Sequence, residues 1–280
     1  MRRRRFCCRR QRAAARHVFA DENGDYYEIA DGLPQHQCFE ERAGVLQHDS
    51  LGPPGIAAAV PPHDRFAAAL RGFGPLGIAA IAVIAAGNLV VAPLSAVLVL
   101  AWARRSHTPW REIGYVRPKS WMRSLIIGIV FGVALKLVMK ALVMPALGAD
   151  PINQPYHYVA GNPAALPGML FAVIVGAGFG EETLFRGYLF ERLGKIFGTG
   201  IGAKILIVTL TAGLFGLAHF HDQGPAGVEQ AAIVGLVFGT IFAVTGRIWM
   251  LMCAHAAFDL VALALIYWNL ESEVAHLVFQ

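Results

Sequence analysis

Residues 166–190 read Leu-Pro-Gly-Met-Leu-Phe-Ala-Val-Ile-Val-Gly-Ala-Gly-Phe-Gly-Glu-Glu-Thr-Leu-Phe-Arg-Gly-Tyr-Leu-Phe. An uncharged apolar run ends on two adjacent carboxylates and an arginine, and apolar sequence resumes immediately. An ionisable side chain inside a membrane helix is costly, faces the protein interior and marks function by default. The meaning of this stretch therefore depends on whether the chain lies in a membrane.

The composition says that it does. Hydrophobic residues make up 56% of the 280 residues and charged residues 15%, against about 25% charge in a soluble domain. The mean hydropathy is +0.50. Crossing about 30 Å of hydrocarbon takes about 20 helical residues. Apolar runs near that length occur at 75–103, 125–147, 166–180, 201–218, 226–245 and 248–268. The first is long enough for a span kinked at Pro93, and the second carries Lys136 and Lys140. Period-two alternation is absent, which argues against a β-barrel. The expected fold is all-α: a polytopic membrane helix bundle of about six spans.

Four regions follow. Residues 1–60 are charged and turn-rich and are expected to form a mostly disordered tail. Within them, 1–20 hold arginines at 2, 3, 4, 5, 9, 10, 12 and 16 and no acid, whereas 21–50 are acidic. Residues 61–74 form an interfacial linker, 75–268 the membrane domain and 269–280 a short acidic tail. No apolar stretch follows the arginines at signal-peptide distance. The basic run is read as a solvated tail, with no nucleic-acid partner expected. Cys7, Cys8, Cys38 and Cys253 match no zinc spacing.

Lysine and arginine mark cytoplasmic loops. They are dense between 104 and 123, present at Arg192, Lys195, Lys204 and Arg247, and absent from 148–163, 219–227 and 269–280. This alternation places loops 104–121 and 246–248 inside. It conflicts with the basic N-terminal tail if 75–103 crosses once; either that segment crosses twice or re-enters, or the tail breaks the rule.

Three polar clusters stand in or beside the apolar runs. Glu182 and Arg186 are four apart and share a helical face, so they can pair. Glu181 lies about 100° round the helix and stays free to act as a general base. Phe215 and His219 share a second face, and His255 and Asp259 a third. One carboxylate with two histidines suits activation of water and support of an oxyanion. No cofactor is expected, although Glu181, His219 and His255 could instead offer zinc one oxygen and two nitrogens.

Glu-Glu-x-x-x-Arg at 181–186, Phe-x-x-x-His at 215–219 and His-x-x-x-Asp at 255–259, in that order, resemble the motifs of the CAAX protease and bacteriocin-processing family, the type II CAAX prenyl endopeptidase (Abi) proteins. Pro109-Trp110-Arg111-Glu112-Ile113-Gly114 is similar to a recurrent pre-helix feature of its bacterial members. The resemblance covers roughly 75–268. It implies an intramembrane endopeptidase, placed in a bacterial plasma (inner) membrane, acting on a peptide or lipid-modified protein in contact with membrane lipids. By its pattern Glu181 activates water with help from His219. His255 and position 259 support the oxyanion, and Glu182 and Arg186 order the site. Asp259 stands where the eukaryotic enzymes have Asn; an ionised Asp only accepts hydrogen bonds and would orient His255 instead. The rival readings are a non-catalytic scaffold or immunity protein of the same fold, and a proton-coupled transporter using Glu181, His219 and His255 as a relay.

Overall fold

The computed structural model describes residues 17–20, 26–29, 62–90 and 92–278. The chain divides into two compact units, Met1–Ala57 and Ala58–Gln280. In the first, strands β1 (His17–Ala20) and β2 (Tyr26–Ile29) pair antiparallel, with His17 opposite Ile29. No alternating pattern in residues 1–60 announced this hairpin; the rest of the expected disordered tail lies outside the described residues.

The second unit is helical and is an integral multi-pass membrane domain. Among the described residues five helices are long and apolar enough to cross a bilayer: α4 (Trp121–Ala146), α5 (Pro163–Phe197), α6 (Ile201–Ala218), α7 (Phe220–Thr245) and α8 (Trp249–Tyr267). Before them come α1 (Pro62–Arg71), α2 (Pro75–Val90) and α3 (Ala92–Arg105), and a short α9 (Glu271–Ala275) follows. A sixth span is reached only by joining Arg65–Arg71 and Pro75–Asn88, which are bent by 56°. Large apolar side chains such as Ile126 and Val130 of α4 and Ile205 and Leu217 of α6 face outward. In water such a surface would aggregate; in a bilayer it is the solvent-facing side.

The first apolar run is two helices rather than one kinked span. Pro93 is the second residue of α3, where its missing N–H is one that a helix start leaves unpaired anyway. Ile84 of α2 and Val99 of α3 share a core cluster, and the indole of Trp102 donates to the Leu70 carbonyl at 3.0 Å. The end of α3 therefore returns to the start of α2. At about 1.5 Å per residue, helices of 16 and 14 residues fall short of the hydrocarbon thickness. The pair is a hairpin that enters and leaves at one end of the bundle.

That end is the basic one. Arg192 of α5 donates to the Arg71 carbonyl at 2.8 Å, Arg71 pairs with Glu112 at 3.3 Å, and the Ile248 N–H donates to the Gly114 carbonyl at 3.0 Å. At the opposite end the Asn153 N–H donates to Glu271 at 3.1 Å and the Gly161 N–H to the Tyr267 carbonyl at 3.0 Å. The loops there carry no Lys or Arg. The hairpin removes the conflict over 75–103, because residues 62–71 sit at the same end as the basic loop. A membrane-impermeant maleimide should label His157→Cys in intact cells and Arg111→Cys only after lysis, in a background without the native cysteines. The reverse pattern would refute this orientation.

Local sequence explains the boundaries that frame the site. Gly224 leaves the helical region (φ +64°) and Pro225 restarts α7, so the chain turns sharply after α6. Gly246 closes α7 in the left-handed conformation, leaving only Arg247 and Ile248 before α8. Gly128 and Gly132 let α4 touch α8: a Cβ on Gly132 would sit 2.1 Å from the Ala254 carbonyl oxygen. Small residues four apart permit such close approach in membranes. Gly132→Ala should cost about 1–3 kcal/mol as an overpacked contact, read as a lower melting temperature in detergent. Unchanged melting would mean that the α4–α8 approach is looser than described.

Candidate active site

The middle of α5 is not an ordinary α-helix. From Ala172 to Tyr188 it is wound as a π-helix, and the Leu189 N–H reaches five residues back to the Leu184 carbonyl. π-helical turns recur at functional sites. The widened helix still brings Glu182 and Arg186 together, at 2.8 Å between Oε1 and Nη1. Both are nearly devoid of solvent exposure (0% and 2%). The Arg186 guanidinium also lies over the Phe215 ring at 4.6 Å and the Phe238 ring at 5.4 Å, where the ring faces supply further negative potential.

Glu182 has a second partner that sequence spacing could not supply. The His255 Nδ1–H donates to the same Oε1 at 2.7 Å, tying α8 to α5. Glu182 thus holds the ring at Nδ1, a contact that helical spacing does not reveal. Asp259 lies on the other side of the ring, with Oδ2 3.6 Å from Nε2. Glu181 faces that same nitrogen at 3.7 Å, and its Oε2 is buried without a hydrogen-bond partner among the described residues.

His219 ends α6. Its Nδ1 is 2.8 Å from the Phe215 carbonyl. A carbonyl can only accept, so Nδ1 carries the proton and Nε2 is left for chemistry. Phe215 packs edge-on against both imidazoles, at 4.7 Å from His219 and 5.9 Å from His255. It spaces the two rings besides supplying the carbonyl that fixes one of them. Glu181, His219, His255 and Asp259 all line one cavity of about 350 Å³. The arrangement can take a proton at a free carboxylate and donate from an imidazole whose far nitrogen is anchored.

Among the described residues no three His, Cys, Asp or Glu side chains are disposed to hold a metal. Glu181, His219 and His255 share the cavity without being disposed as a ligand set.

The cavity walls include Lys136, seen in the sequence only as a charge in an apolar run, and four residues that the sequence did not flag: Asn153, Tyr156, Gln223 and Gln230. Tyr156 lies outside the spans. Burial, then the Asp222 carboxylate, push its hydroxyl above the usual range while the Gln223 hydrogen bond opposes them, so it stays neutral. Nearer the basic end, Tyr115 shares a 2.7 Å hydrogen bond with Thr183, the neighbour of Glu182. Burial pushes the Tyr115 hydroxyl up to about 12, against the effect of that bond. The 109–114 segment forms the support beneath: Ile113 is fully buried against Gly187, and Gly114 (φ +80°) faces Phe242 and Ile248.

These helices and motifs fall within one recognised stretch. Residues 163–261 match the family model described as type II CAAX prenyl endopeptidase Rce1-like. The match runs from the start of α5 to just beyond Asp259, so it takes in all three polar clusters. No curated protein and no solved structure matches the chain. The Rce1-like match supports a CAAX-protease-like membrane endopeptidase, in keeping with the resemblance read from the motifs.

Proposed function

We propose that this membrane domain is a CAAX-protease-like endopeptidase that hydrolyses a peptide bond with Glu181 as general base. The observation that carries this reading is the pairing pattern around His255. Glu182 is committed through Oε1 to Arg186 and to Nδ1 and does not line the cavity, which leaves Glu181 as the glutamate on the cavity wall, its Oε2 without a hydrogen-bond partner among the described residues. In the proposed reaction water enters beside Glu181 and His219. The Glu181 carboxylate takes one proton as the water oxygen attacks the scissile carbonyl carbon. His255, protonated at Nε2, donates to the oxyanion. The C–N bond then breaks, and the proton held by Glu181 passes to the leaving amine. Asp259 keeps the Nε2–H aimed at the cavity and, being an acceptor when ionised, does not itself bind the oxyanion.

The substrate class on this reading is a peptide or lipid-modified protein segment. The cavity walls supply Met169, Phe171, Val173 and Leu263 for apolar side chains. The 109–114 similarity to bacterial members and the basic face support a bacterial plasma membrane with that face in the cytoplasm. The test is cleavage of a fluorogenic peptide library by the full chain in proteoliposomes, wild type against Glu181→Gln. Equal turnover by the two would reject Glu181 as the base.

A further inference from the structure

Lys136 stands in the wall of the catalytic cavity without the partner that a buried ammonium needs. It lies on α4, is 6% exposed, and donates to the neutral Gln230 Oε1 at 3.1 Å, with the Phe258 ring 4.7 Å away. One turn further on, Lys140 shows the ordinary solution. It pairs with Glu271 at 3.2 Å and donates to the Pro151 carbonyl. Among the described residues no carboxylate is within ion-pair distance of Lys136, although Asp259 and Glu271 exert an electrostatic pull on it. A charge taken out of water without a close counter-ion is expensive. An ammonium has three donors, and an amide oxygen and a ring face satisfy it only partly.

Its location says what would complete it. Lys136, Gln230, Gln223 and Asn153 line both the 350 Å³ cavity holding Glu181 and a neighbouring cavity of about 210 Å³. The cation thus stands where the two spaces meet. Its amide and amine neighbours offer hydrogen bonds, and the apolar side chains of Ile266 and Leu263 flank the larger space. We infer that Lys136, with Gln230, is a subsite for a carboxylate of the bound peptide, either its free C-terminus or an acidic side chain. The inference rests on the reading that this cavity takes a peptide, and it names the end of the peptide that is anchored. The bland role for Lys136 is to balance Asp259 across the cavity; that role predicts no preference between charged and neutral ligands.

The test measures binding, so it does not depend on turnover. Four probes are titrated into the detergent-solubilised full chain: acetyl-Leu-Leu-Leu as free acid and as amide, and acetyl-Leu-Glu-Leu amide against acetyl-Leu-Gln-Leu amide. A charge-assisted hydrogen bond contributes about 1.5–3 kcal/mol, so the carboxylate probe should bind about tenfold or more tightly than its neutral partner. Preference in the first pair assigns the subsite to a C-terminus, and preference in the second to a side chain. It should collapse in Lys136→Met and survive in Glu181→Gln. Equal affinity within both pairs, binding of none of the four, or a preference that persists in Lys136→Met overturns the inference. If Glu181→Gln cleaves as fast as wild type while the binding preference stands, the catalytic reading fails and the subsite does not.

Discussion

Glu181→Gln is expected to cut peptide cleavage by about 10² to 10⁴, the usual contribution of a positioned general base, while leaving the fold intact. Glutamine keeps the shape of the side chain and can still accept a hydrogen bond, but it cannot take a proton from water. The structural effect should be small because Glu181 anchors nothing. Its Oε2 is buried without a hydrogen-bond partner, and its nearest ion-pair contact is 3.7 Å away at His255 Nε2. Removing that charge spares the protein the burial of a carboxylate, and a neutral amide is cheaper to keep from water. Melting in detergent and peptide turnover, measured on the same preparations, separate the two effects. Loss of activity with unchanged melting supports the base. Joint loss of both would make Glu181 a structural residue and favour a scaffold over an enzyme.

What the sequence revealed of this site, and what it hid, divides along one physical line. Spacing along a helix reports which side chains share a face, because the period is local. That is why Glu182 with Arg186 and His255 with Asp259 could be paired from residue numbers, and why the bundle of apolar helices was legible from run lengths. Spacing does not report which face meets which. The Glu182–His255 hydrogen bond joins residues 73 apart and exists only because α5 packs on α8, so spacing alone showed Asp259 beside His255 and not Glu182. The hairpin of α2 and α3 was hidden for a related reason. An apolar run of 29 residues reads as one long span until Trp102 is seen returning to Leu70. Lys136 was visible only as a blemish in an apolar run, since its value depends on Gln230 and Phe258 brought from α7 and α8.

Glu182→Gln should behave as the opposite of Glu181→Gln in stability, though both lower activity. Glu182 Oε1 receives Arg186 Nη1 at 2.8 Å and His255 Nδ1 at 2.7 Å. Loss of the carboxylate leaves a 2% exposed guanidinium without its counter-ion, and breaking such a pair by one partner costs about 3–5 kcal/mol. Glu182→Gln is therefore expected to melt well below wild type. The double variant Glu182→Gln/Arg186→Met should recover part of that loss, because it removes the stranded charge; the coupling of neighbouring sites makes the two changes non-additive. Recovery of stability should not restore turnover. His255 Nδ1 would then face a neutral amide in place of an anion, so the ring keeps an acceptor but loses the negative charge that supports its protonated form. The defect should appear in kcat rather than KM, because Glu182 touches no substrate in the proposed reaction. A double variant that regains both stability and kcat would show that Glu182 acts only through Arg186, and that His255 is held by its packing between Phe215 and Phe238.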